Sequence, residues 1–589
     1  NKRISAYARK IKADLIIVCG GPNIDCNELG YKEFFEINPE ADFYIPYQGE
    51  PGFINFLNLI FNRWKIINDS EFEILDGLIE FDKNLKRINI GKILPRLKNP
   101  NEVPSPYLNG TLDSFFETML IPIIETNRGC PYCCSFCAQG FTSFHKIDFF
   151  DIERVKAEIE YIAKKVKNTS LLLFADSNFG INNRDLEIAE FIVKMREKYG
   201  YPKHCSMNWA KNNPEIYKIA RILNENAPFI LSLQSLDETV LTNIKRRNIN
   251  IETFKNIINK CNDDNIISGT EIMLGLPGET YQSHIDNLKR LFDWNVSYII
   301  CYYSLVIKGA EISNKEYLKK YKIKTKYRLI DSSFGKYEDF YSFEYEKGIL
   351  ETDTITYHEM VSIRPIHWLI QFLWNYRCNF LLLNVLKQHN INPMEVILKI
   401  IATRNNASNK LKQIFDDFIE ESYREWFDSY EDLRDYYIKH FDDLKEGKHG
   451  KLNGKYIWRV LLEAKNEFAD YIKNIAQEIL PEKSNAITEL IRFENDSIID
   501  FSDDFENIFK PKINEYSYNF IKLSESKFCK NIDDYKEKIK VEFSLSDERI
   551  ADMKKLLEQY KHKNRNVTLR KVSERVNIKL MFYDKQIIK

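Results

Sequence analysis

Residues 125–137 hold four of the 11 cysteines and read Glu125-Thr126-Asn127-Arg128-Gly129-Cys130-Pro131-Tyr132-Cys133-Cys134-Ser135-Phe136-Cys137. Thiolates are soft anionic ligands that bind iron well. Three of them on a four-iron four-sulfur cubane leave one iron without a protein ligand, and that iron is open to a small molecule. Three thiolates from this group could therefore hold such a cluster with one iron left open.

The spacing of these cysteines, with Phe136 just before the last of them, resembles the CxxxCxΦC signature of the radical S-adenosylmethionine (SAM) superfamily. This resemblance implies a 4Fe-4S cluster bound by Cys130, Cys134 and Cys137, with Cys133 outside the ligand set. It implies that the open iron chelates the amino and carboxylate groups of SAM. It also implies that one electron cleaves SAM to a 5′-deoxyadenosyl radical, with Phe136 beside the cofactor. A structural zinc site is the alternative, but such sites usually pair one CxxC with a second CxxC or with histidines, and no second pair follows here.

From Ile121 to Ile307, short apolar runs alternate with helical patterns. Strands and helices in alternation form a parallel sheet with helices packed on it. We therefore predict an α/β fold whose centre is a partial (βα)6 radical SAM barrel. The six predicted strands are Ile121 to Glu125, Ser170 to Ala175, His204 to Trp209, Pro228 to Leu233, Thr270 to Leu274 and Ser297 to Leu305.

Polar residues and glycines follow several of these strands, and active sites gather at the carboxyl ends of barrel strands. The resemblance implies that Asp176, Ser177 and Asn178 contact the methionyl amino group of SAM; a plain turn is the alternative. The resemblance also implies that Gln234 and Ser235 contact the ribose and that Arg246 and Arg247 are candidates for binding the carboxylate. The backbone of the run from Gly269 to Glu279, which includes Glu271 and Gly275, is expected to lie against adenine.

The N-terminal part contains two strand-and-loop units. Asp14 to Cys19 runs into Gly20-Gly21-Pro22, and Asp42 to Ile45 runs into Gln48-Gly49-Glu50 before a helical pattern from Phe53 to Trp64. Gly20, Gly21 and Gly49 resemble the turns of the cobalamin-binding subgroup of the superfamily, in which the backbone approaches the corrinoid. A flavodoxin-like layer without a ligand is the alternative.

Few residues precede the glycine turn, so we expect this flavodoxin-like sheet to be incomplete and its binding of cobalamin to be weak or absent. Four prolines between Pro95 and Pro106 favour an extended linker. After about Phe380 the pattern predicts an all-α region without a recognised motif. The predicted segments are 1–94 (cobalamin-binding-like), 95–117 (linker), 118–310 (radical SAM core), 311–380 (extension) and 381–589 (helical).

The bulk composition limits the partners of the chain. With 85 basic and 86 acidic residues the formal charge is -1, which offers no general attraction to nucleic acid, and no apolar run is long enough to span a bilayer. Clustered thiols favour a reducing cytoplasm. We expect a small-molecule or peptide substrate and an electron donor such as flavodoxin or ferredoxin.

The resemblance to the cobalamin subgroup implies methyl transfer to an unactivated carbon of the substrate. Radical cyclisation or rearrangement is the enzymatic alternative. A non-catalytic iron-sulfur or corrinoid sensor is the alternative from another class, although a sensor would not need the predicted nucleoside-contacting residues.

Overall fold

The fold is described by a computed structural model that covers residues 2–588 except 22–23, 64–73, 84, 141–144, 225–226, 504, 529 and 576–580. Contacts divide the chain into two units. Unit 1 contains Asn1–Leu231, Leu241–Ile266 and Leu305–Tyr321, and unit 2 contains Ser232–Val240, Ile267–Ser304 and Lys322–Lys589. These units do not follow the five predicted segments, and that division stays a prediction.

The N-terminal sheet of unit 1 combines a parallel pair of strands with an antiparallel hairpin. Both predicted strands are present, but the hairpin was not foreseen. The helix after the second strand begins at Gly49 rather than Phe53, and Trp64 and Pro22 lie outside the described residues. The elements are α1 (Lys2–Ile11), β1 (Val18–Gly20), α2 (Glu28–Ile37), β2 (Phe43–Ile45), α3 (Gly49–Arg63), β3 (Ile79–Asp82) and β4 (Arg87–Ile90), with sheet order β1-β2-β3-β4.

Strand β2 is buried on both of its faces because successive side chains of a strand point to opposite sides. Tyr44 packs with Tyr31 and Phe35 of α2. Phe43 on the other side packs with Phe56 of α3. Helices therefore cover both sides of the parallel pair, and the carboxyl ends of β1 and β2 remain available for loops.

All six predicted core strands are confirmed, each shorter than or close to its predicted run. In unit 1, the first three of them pair in parallel, and in unit 2 the last two do so. The closure of these strands into a partial barrel stays a prediction. The elements are β5 (Ile123–Ile124), β6 (Asn127–Arg128), β7 (Asp148–Phe149), α4 (Ile152–Lys165), β8 (Leu171–Phe174), α5 (Arg184–Tyr199), β9 (His204–Ser206), α6 (Ile216–Leu223), β10 (Phe229–Ile230), α7 (Glu238–Asn243), α8 (Ile251–Asp263), β11 (Ser268–Leu274), α9 (Tyr281–Asp293), β12 (Tyr298–Tyr303) and α10 (Lys315–Lys320).

The extension after the core contains a long antiparallel hairpin followed by helices. The Thr356 side chain accepts a hydrogen bond from the backbone of Glu359, and the Glu359 side chain accepts one in return, so this capping box begins the first helix. The elements are β13 (Lys324–Tyr337), β14 (Phe340–Glu351), α11 (Tyr357–Leu369), α12 (Phe380–Gln388), α13 (Pro393–Ala402), α14 (Asn409–Arg424), α15 (Tyr430–Lys439), α16 (Phe441–Lys445), α17 (Leu452–Glu463), α18 (Lys465–Ile479) and α19 (Ser484–Ser497).

The prediction of an all-α region after residue 380 is wrong at its end, where three strands form an antiparallel sheet. The central strand reads IKVEFS, and its apolar residues Ile539, Val541 and Phe543 are buried while Lys540 is exposed. This period of two is the strand pattern that the high charge of the region conceals. The elements are α20 (Phe505–Ile508), β15 (Lys512–Tyr516), α21 (Phe520–Glu525), β16 (Ile539–Ser544), α22 (Asp547–Gln559), α23 (Arg565–Arg575) and β17 (Asp584–Ile588).

Among the residues that the structure describes, no helix has both the length and the apolar composition needed to cross a membrane.

A buried carboxyl group joins two helices of unit 2. The Glu494 side chain on α19 accepts hydrogen bonds from the backbone N–H of Leu381 at 2.7 Å and from Asn379 Nδ2 at 3.4 Å. Burial raises the pKa of Glu494 to about 8, although these donors oppose the shift. The folded protein therefore binds a proton here that the unfolded chain releases near the ordinary pKa of 4.5.

Stability is expected to fall as the pH rises from about 5 to about 8, because only the unfolded state has a fully ionised Glu494 in this range. Glu494→Gln keeps the oxygen that faces Leu381 and removes the titration. Its melting temperature should fall less between pH 6 and pH 8 than that of the parent protein. The matched control is Glu489→Gln, a partly exposed position on the same helix; equal pH dependence in all three proteins would contradict the assignment.

Candidate active site

The cysteine loop follows β5 and β6, and burial separates its cysteines into two groups. Cys130 and Cys134 are buried and Cys137 is partly buried, whereas Cys133 is exposed. The backbone N–H of Cys137 donates to the carbonyl of Cys134 at 3.1 Å, so a tight turn carries the last two predicted ligands. The three predicted ligands therefore lie inward of Cys133.

Ser135 anchors this turn to two other parts of unit 1. Its backbone N–H donates to the carbonyl of Ile244 at 3.0 Å, and its carbonyl accepts from the N–H of Ile312 at 2.8 Å. Its hydroxyl lies 2.8 Å from the hydroxyl of Tyr317 on α10. Ser135 carries no signal in the sequence, since its role depends on contacts with residues far along the chain.

Asp176 fixes the start of the cysteine loop. Its carboxylate is fully buried and accepts hydrogen bonds from the Thr126 backbone N–H at 2.7 Å, from the Thr126 hydroxyl and from Asn127 Nδ2 at 3.0 Å. Burial raises the pKa of Asp176 to about 7, and the donors of Thr126 and Asn127 oppose that shift. The contact predicted between Asp176 and the methionyl amino group stays a prediction, as does that of the half-buried Ser177.

Asn178 links the loop after β8 directly to a predicted cluster ligand. Its Nδ2 donates to Cys130 Sγ at 3.1 Å. In the described part of the chain its buried Oδ1 has no hydrogen-bond partner, and the same holds for Oδ1 of Asn127. A buried acceptor without a partner is costly in a folded protein. The Oδ1 of Asn178, whose amide nitrogen contacts Cys130, therefore fits a ligand that brings its own donors, such as the ammonium group of methionine.

Two cationic side chains face the thiols. Arg246 is buried, donates from Nε to Asn248 Oδ1 at 2.8 Å, and places Nη1 3.8 Å from Cys134 Sγ. Burial lowers the pKa of Lys211, and Arg246 adds to the lowering, while the three predicted cluster thiols raise it. These cations favour thiolate ligands and a carboxylate nearby. Arg247 is exposed.

Sequence reasoning missed Lys211. The signal that could have found it is the position of a lysine shortly after the end of β9, where polar residues of a parallel fold gather. Burial raises the pKa of the Cys137 thiol, and the backbone of Gln139 and the charge of Lys211 lower it.

Within the described ranges, no three His, Cys, Asp or Glu side chains converge as the ligands of one metal ion do. Each thiolate of a cubane binds a different iron, so its ligands do not share one centre. Two observations make these cysteines suitable for a cluster: Cys130 and Cys134 are buried, and the cationic side chains of Arg246 and Lys211 lie near the thiols. Phe136, half-buried between Ser135 and Cys137, stays a predicted cofactor contact.

Unit 2 brings together the predicted ribose-contacting and adenine-contacting residues that follow β10 and lie on β11. The backbone of Gln234 bridges to β11, with its N–H 2.7 Å from the Glu271 carbonyl. Its φ is +66°, and among the described residues its buried Oε1 has no partner. The Glu271 carboxylate accepts from the hydroxyl of Ser232. Gln234 and Glu271 thus form one polar patch.

Ser235 is fully buried, and its hydroxyl accepts hydrogen bonds from the Asp237 backbone N–H at 3.2 Å and from Asn287 Nδ2 at 3.4 Å. The buried Gly269 lies on β11 opposite Tyr298 of β12. The cofactor contacts of Ser235 and Gly269 stay predictions.

The turn after β11 requires glycine at position 275. Gly275 has a φ of +88°, and a Cβ there would lie 2.7 Å from Cε of Met360. Its N–H donates to Glu279 Oε2 at 2.7 Å. Only glycine adopts this conformation freely and avoids a clash with Met360, so the turn depends on glycine at this position.

The N-terminal glycines lie at the carboxyl ends of the neighbouring parallel strands β1 and β2. Gly21 has a φ of +115°, its carbonyl accepts from the Tyr44 hydroxyl, and the space where its Cβ would point is open. Among the described residues, no atom lies within 4 Å of a Cβ built on Gly21 or Gly49, whereas a Cβ on Gly20 would meet the Ile45 carbonyl at 3.1 Å. Ligands of parallel α/β layers bind at this edge. The two open glycines fit the approach of a bulky group.

Arg128 joins this N-terminal layer to the cysteine loop. Its guanidinium lies 2.8 Å from Glu50 Oε1 and 2.9 Å from Glu125 Oε2. Glu50 directly follows Gly49, and Arg128 lies two residues before Cys130. The predicted corrinoid turn and the predicted cluster loop are therefore held together by an ion pair within unit 1.

Cys134→Ala is expected to remove the cluster from anaerobically reconstituted protein, and Cys133→Ala to leave it intact, because Cys134 is a buried predicted ligand whereas Cys133 is exposed. Iron and acid-labile sulfide would be measured per chain, with the parent protein expected to bind about four of each. Equal loss in both variants would contradict the ligand assignment. Zinc without sulfide in the parent protein would contradict the cluster itself.

Comparison with known proteins agrees with the position of this site. Residues 124–291 match the model of the radical SAM superfamily. A 2-(S-pantetheinyl)-carbapenam-3-carboxylate methyltransferase from Streptantibioticus cattleyicolor is 29% identical over 385 residues, which cover 63% of this chain and 54% of that protein.

The cobalamin-dependent radical SAM methyltransferase TokK from Streptomyces tokunonensis is 28% identical over 386 residues, again 63% of this chain and 54% of that protein. The chain thus spans about half the length of these relatives. Among solved structures, the cobalamin-dependent SAM radical enzyme OxsB, with aqua-cobalamin and SAM bound, has a TM-score of 0.43 and 13% identity over 83% of this chain and 72% of that chain.

The matched residues begin at β5, include the cysteine loop, the Asp176 loop and the Gly275 turn, and end within α9. Residues 124–291 therefore match a radical SAM domain, and the chain is similar to two methyltransferases, one of which is named as a cobalamin-dependent radical SAM enzyme.

Proposed function

We propose that the protein is a radical SAM enzyme that cleaves SAM reductively at a 4Fe-4S cluster held by Cys130, Cys134 and Cys137, and that it methylates an unactivated carbon with the help of cobalamin. The observation that carries the proposal is the set of polar and cationic groups that contact Cys130 and Cys134. Asn178 donates to Cys130 and Arg246 faces Cys134, and among the described residues the buried Oδ1 of Asn178 has no hydrogen-bond partner.

A 4Fe-4S cluster held by Cys130, Cys134 and Cys137 would supply one-electron reduction of SAM to methionine and a 5′-deoxyadenosyl radical, with the electron drawn from a flavodoxin or ferredoxin. The radical would take a hydrogen atom from the substrate, and bound cobalamin would supply the methyl group. The residues of this chain supply binding and orientation. Asn178 Oδ1 would accept a hydrogen bond from the methionyl ammonium. The guanidinium of Arg246 would bind the carboxylate, since a charge-assisted hydrogen bond to a carboxylate is stronger than a neutral one.

Two observations support the cobalamin part of the proposal. Gly21 and Gly49 leave open space at the carboxyl ends of β1 and β2, and Arg128 ties the loop after Gly49 to the loop that carries Cys130. The relatives that match 63% of this chain are named as methyltransferases, one of them as cobalamin-dependent. The substrate is expected to be a small molecule or a peptide.

Reduced, reconstituted protein is expected to convert SAM to 5′-deoxyadenosine and methionine slowly in the absence of substrate. Arg246→Ala should weaken SAM binding by tenfold or more, because loss of a charge-assisted hydrogen bond costs about 1.5–3 kcal/mol. Products would be measured by mass spectrometry and SAM affinity by calorimetry, with the iron content checked in each protein.

Arg247→Ala is the matched control, because it removes the neighbouring but exposed guanidinium. The same affinity for Arg246→Ala and Arg247→Ala would place the carboxylate elsewhere. A full cluster that yields no 5′-deoxyadenosine would contradict radical chemistry and favour the sensor.

The cobalamin step is tested on the same preparations by titration with hydroxocobalamin, followed by absorbance. We expect weak binding that Gly49→Val abolishes, because the valine side chain would occupy the open space beside β2 while the cluster remains loaded. Equal binding by both proteins would show that cobalamin does not bind at this edge of the sheet. No binding by either would contradict methyl transfer from cobalamin and favour cyclisation or rearrangement.

A further inference from the structure

One carboxylate and two imidazole side chains of unit 2 form a buried line of hydrogen bonds that ends at the Gly275 turn. Glu279 and His284 are fully buried and His367 is 4% exposed. Glu279 Oε1 lies 2.8 Å from His284 Nδ1, and His284 Nε2 lies 2.8 Å from His367 Nε2. The other carboxylate oxygen, Oε2, accepts the N–H of Gly275 at 2.7 Å.

The proton positions along this line follow from the acceptors. His284 Nδ1–H donates to Glu279 Oε1, because a carboxylate oxygen accepts hydrogen bonds. His367 Nε2–H then donates to His284 Nε2, since two nitrogens without a proton between them would repel each other. Burial keeps the pKa of His367 well below its ordinary value, with His284 and Arg364 adding to the effect. All donors in the line therefore point toward Glu279.

The extension after the core holds the same turn from two further directions. The Thr354 hydroxyl donates to the carbonyl of Glu279 at 2.6 Å. Cε of Met360 on α11 occupies the space where a side chain at Gly275 would point. His367 lies on the same helix. Residues of the extension therefore contact the turn at its carbonyl, at its glycine and, through His284, at its carboxylate.

We propose that Glu279, His284 and His367 are positioning residues that hold the Gly275 turn in the conformation that receives the adenine of SAM, so that α11 sets the affinity for the cofactor. The inference rests on the proposed function. None of the three side chains needs to touch SAM, because each acts through the backbone N–H of Gly275 or through its neighbour in the line.

His367→Phe tests the line, since it keeps a ring of similar shape and removes the nitrogen that faces His284. Two quantities would be measured: hydrogen exchange of the Gly275 amide without SAM, and the dissociation constant for SAM in cluster-loaded protein. We expect at least tenfold faster exchange and about tenfold weaker SAM binding, since His284 Nε2 would be left buried without its partner. His367→Gln restores an Nε2 donor and should recover most of both losses.

His358→Phe is the matched control, because it makes the same substitution at an exposed position of α11. If His367→Phe does not fold, His284→Asn interrupts the same line while keeping a donor to Glu279, and the same losses are expected. Unchanged exchange and SAM affinity in these variants would overturn the proposal, as would a His367→Gln protein that is as impaired as His367→Phe. A third outcome is faster exchange in His367→Phe together with no SAM binding by the parent protein. It would support the role of these residues in holding the turn, and it would contradict the proposed function.

Discussion

The buried carboxylate of Asp176 is the constraint on which the cysteine loop depends. In the parallel pairing of β5 and β8, Ile124 lies opposite Phe174, so Thr126 and Asp176 reach the same level two residues later. A buried carboxylate is costly unless it is hydrogen-bonded. Thr126 and Asn127 supply the donors, and the chain direction into Arg128 and the cysteines is fixed as a result.

From this fixed start the loop is held at two further points of unit 1. Arg128 binds Glu50 of the N-terminal layer, and Ser135 binds the backbone of Ile244 and Ile312 and the hydroxyl of Tyr317. These contacts leave the inward cysteines beside amide and cationic groups and leave Cys133 outside. Preorganised polar groups of this kind need not rearrange when a charged ligand binds, which is how a protein stabilises charge at low cost.

Local patterns predicted the parts of this structure that depend on neighbours in sequence. The apolar runs of the six core strands and the cysteine spacing could be recognised directly, because strand periodicity and ligand spacing are local. The sheet formed by β15, β16 and β17 was missed, since its strands are charge-rich and lie apart in sequence. Lys211, Ser135 and the His284–His367 contact were missed for a related reason. Their importance depends on partners that only the folded chain brings close.

The central claim is that three thiolates leave an open iron to which SAM binds. The most direct test is electron paramagnetic resonance of the reduced, reconstituted protein with and without SAM labelled with 15N at its amino group. The account predicts a 4Fe-4S signal that changes when SAM is added and shows coupling to the labelled nitrogen. A cluster signal that SAM leaves unchanged, without nitrogen coupling, would contradict it.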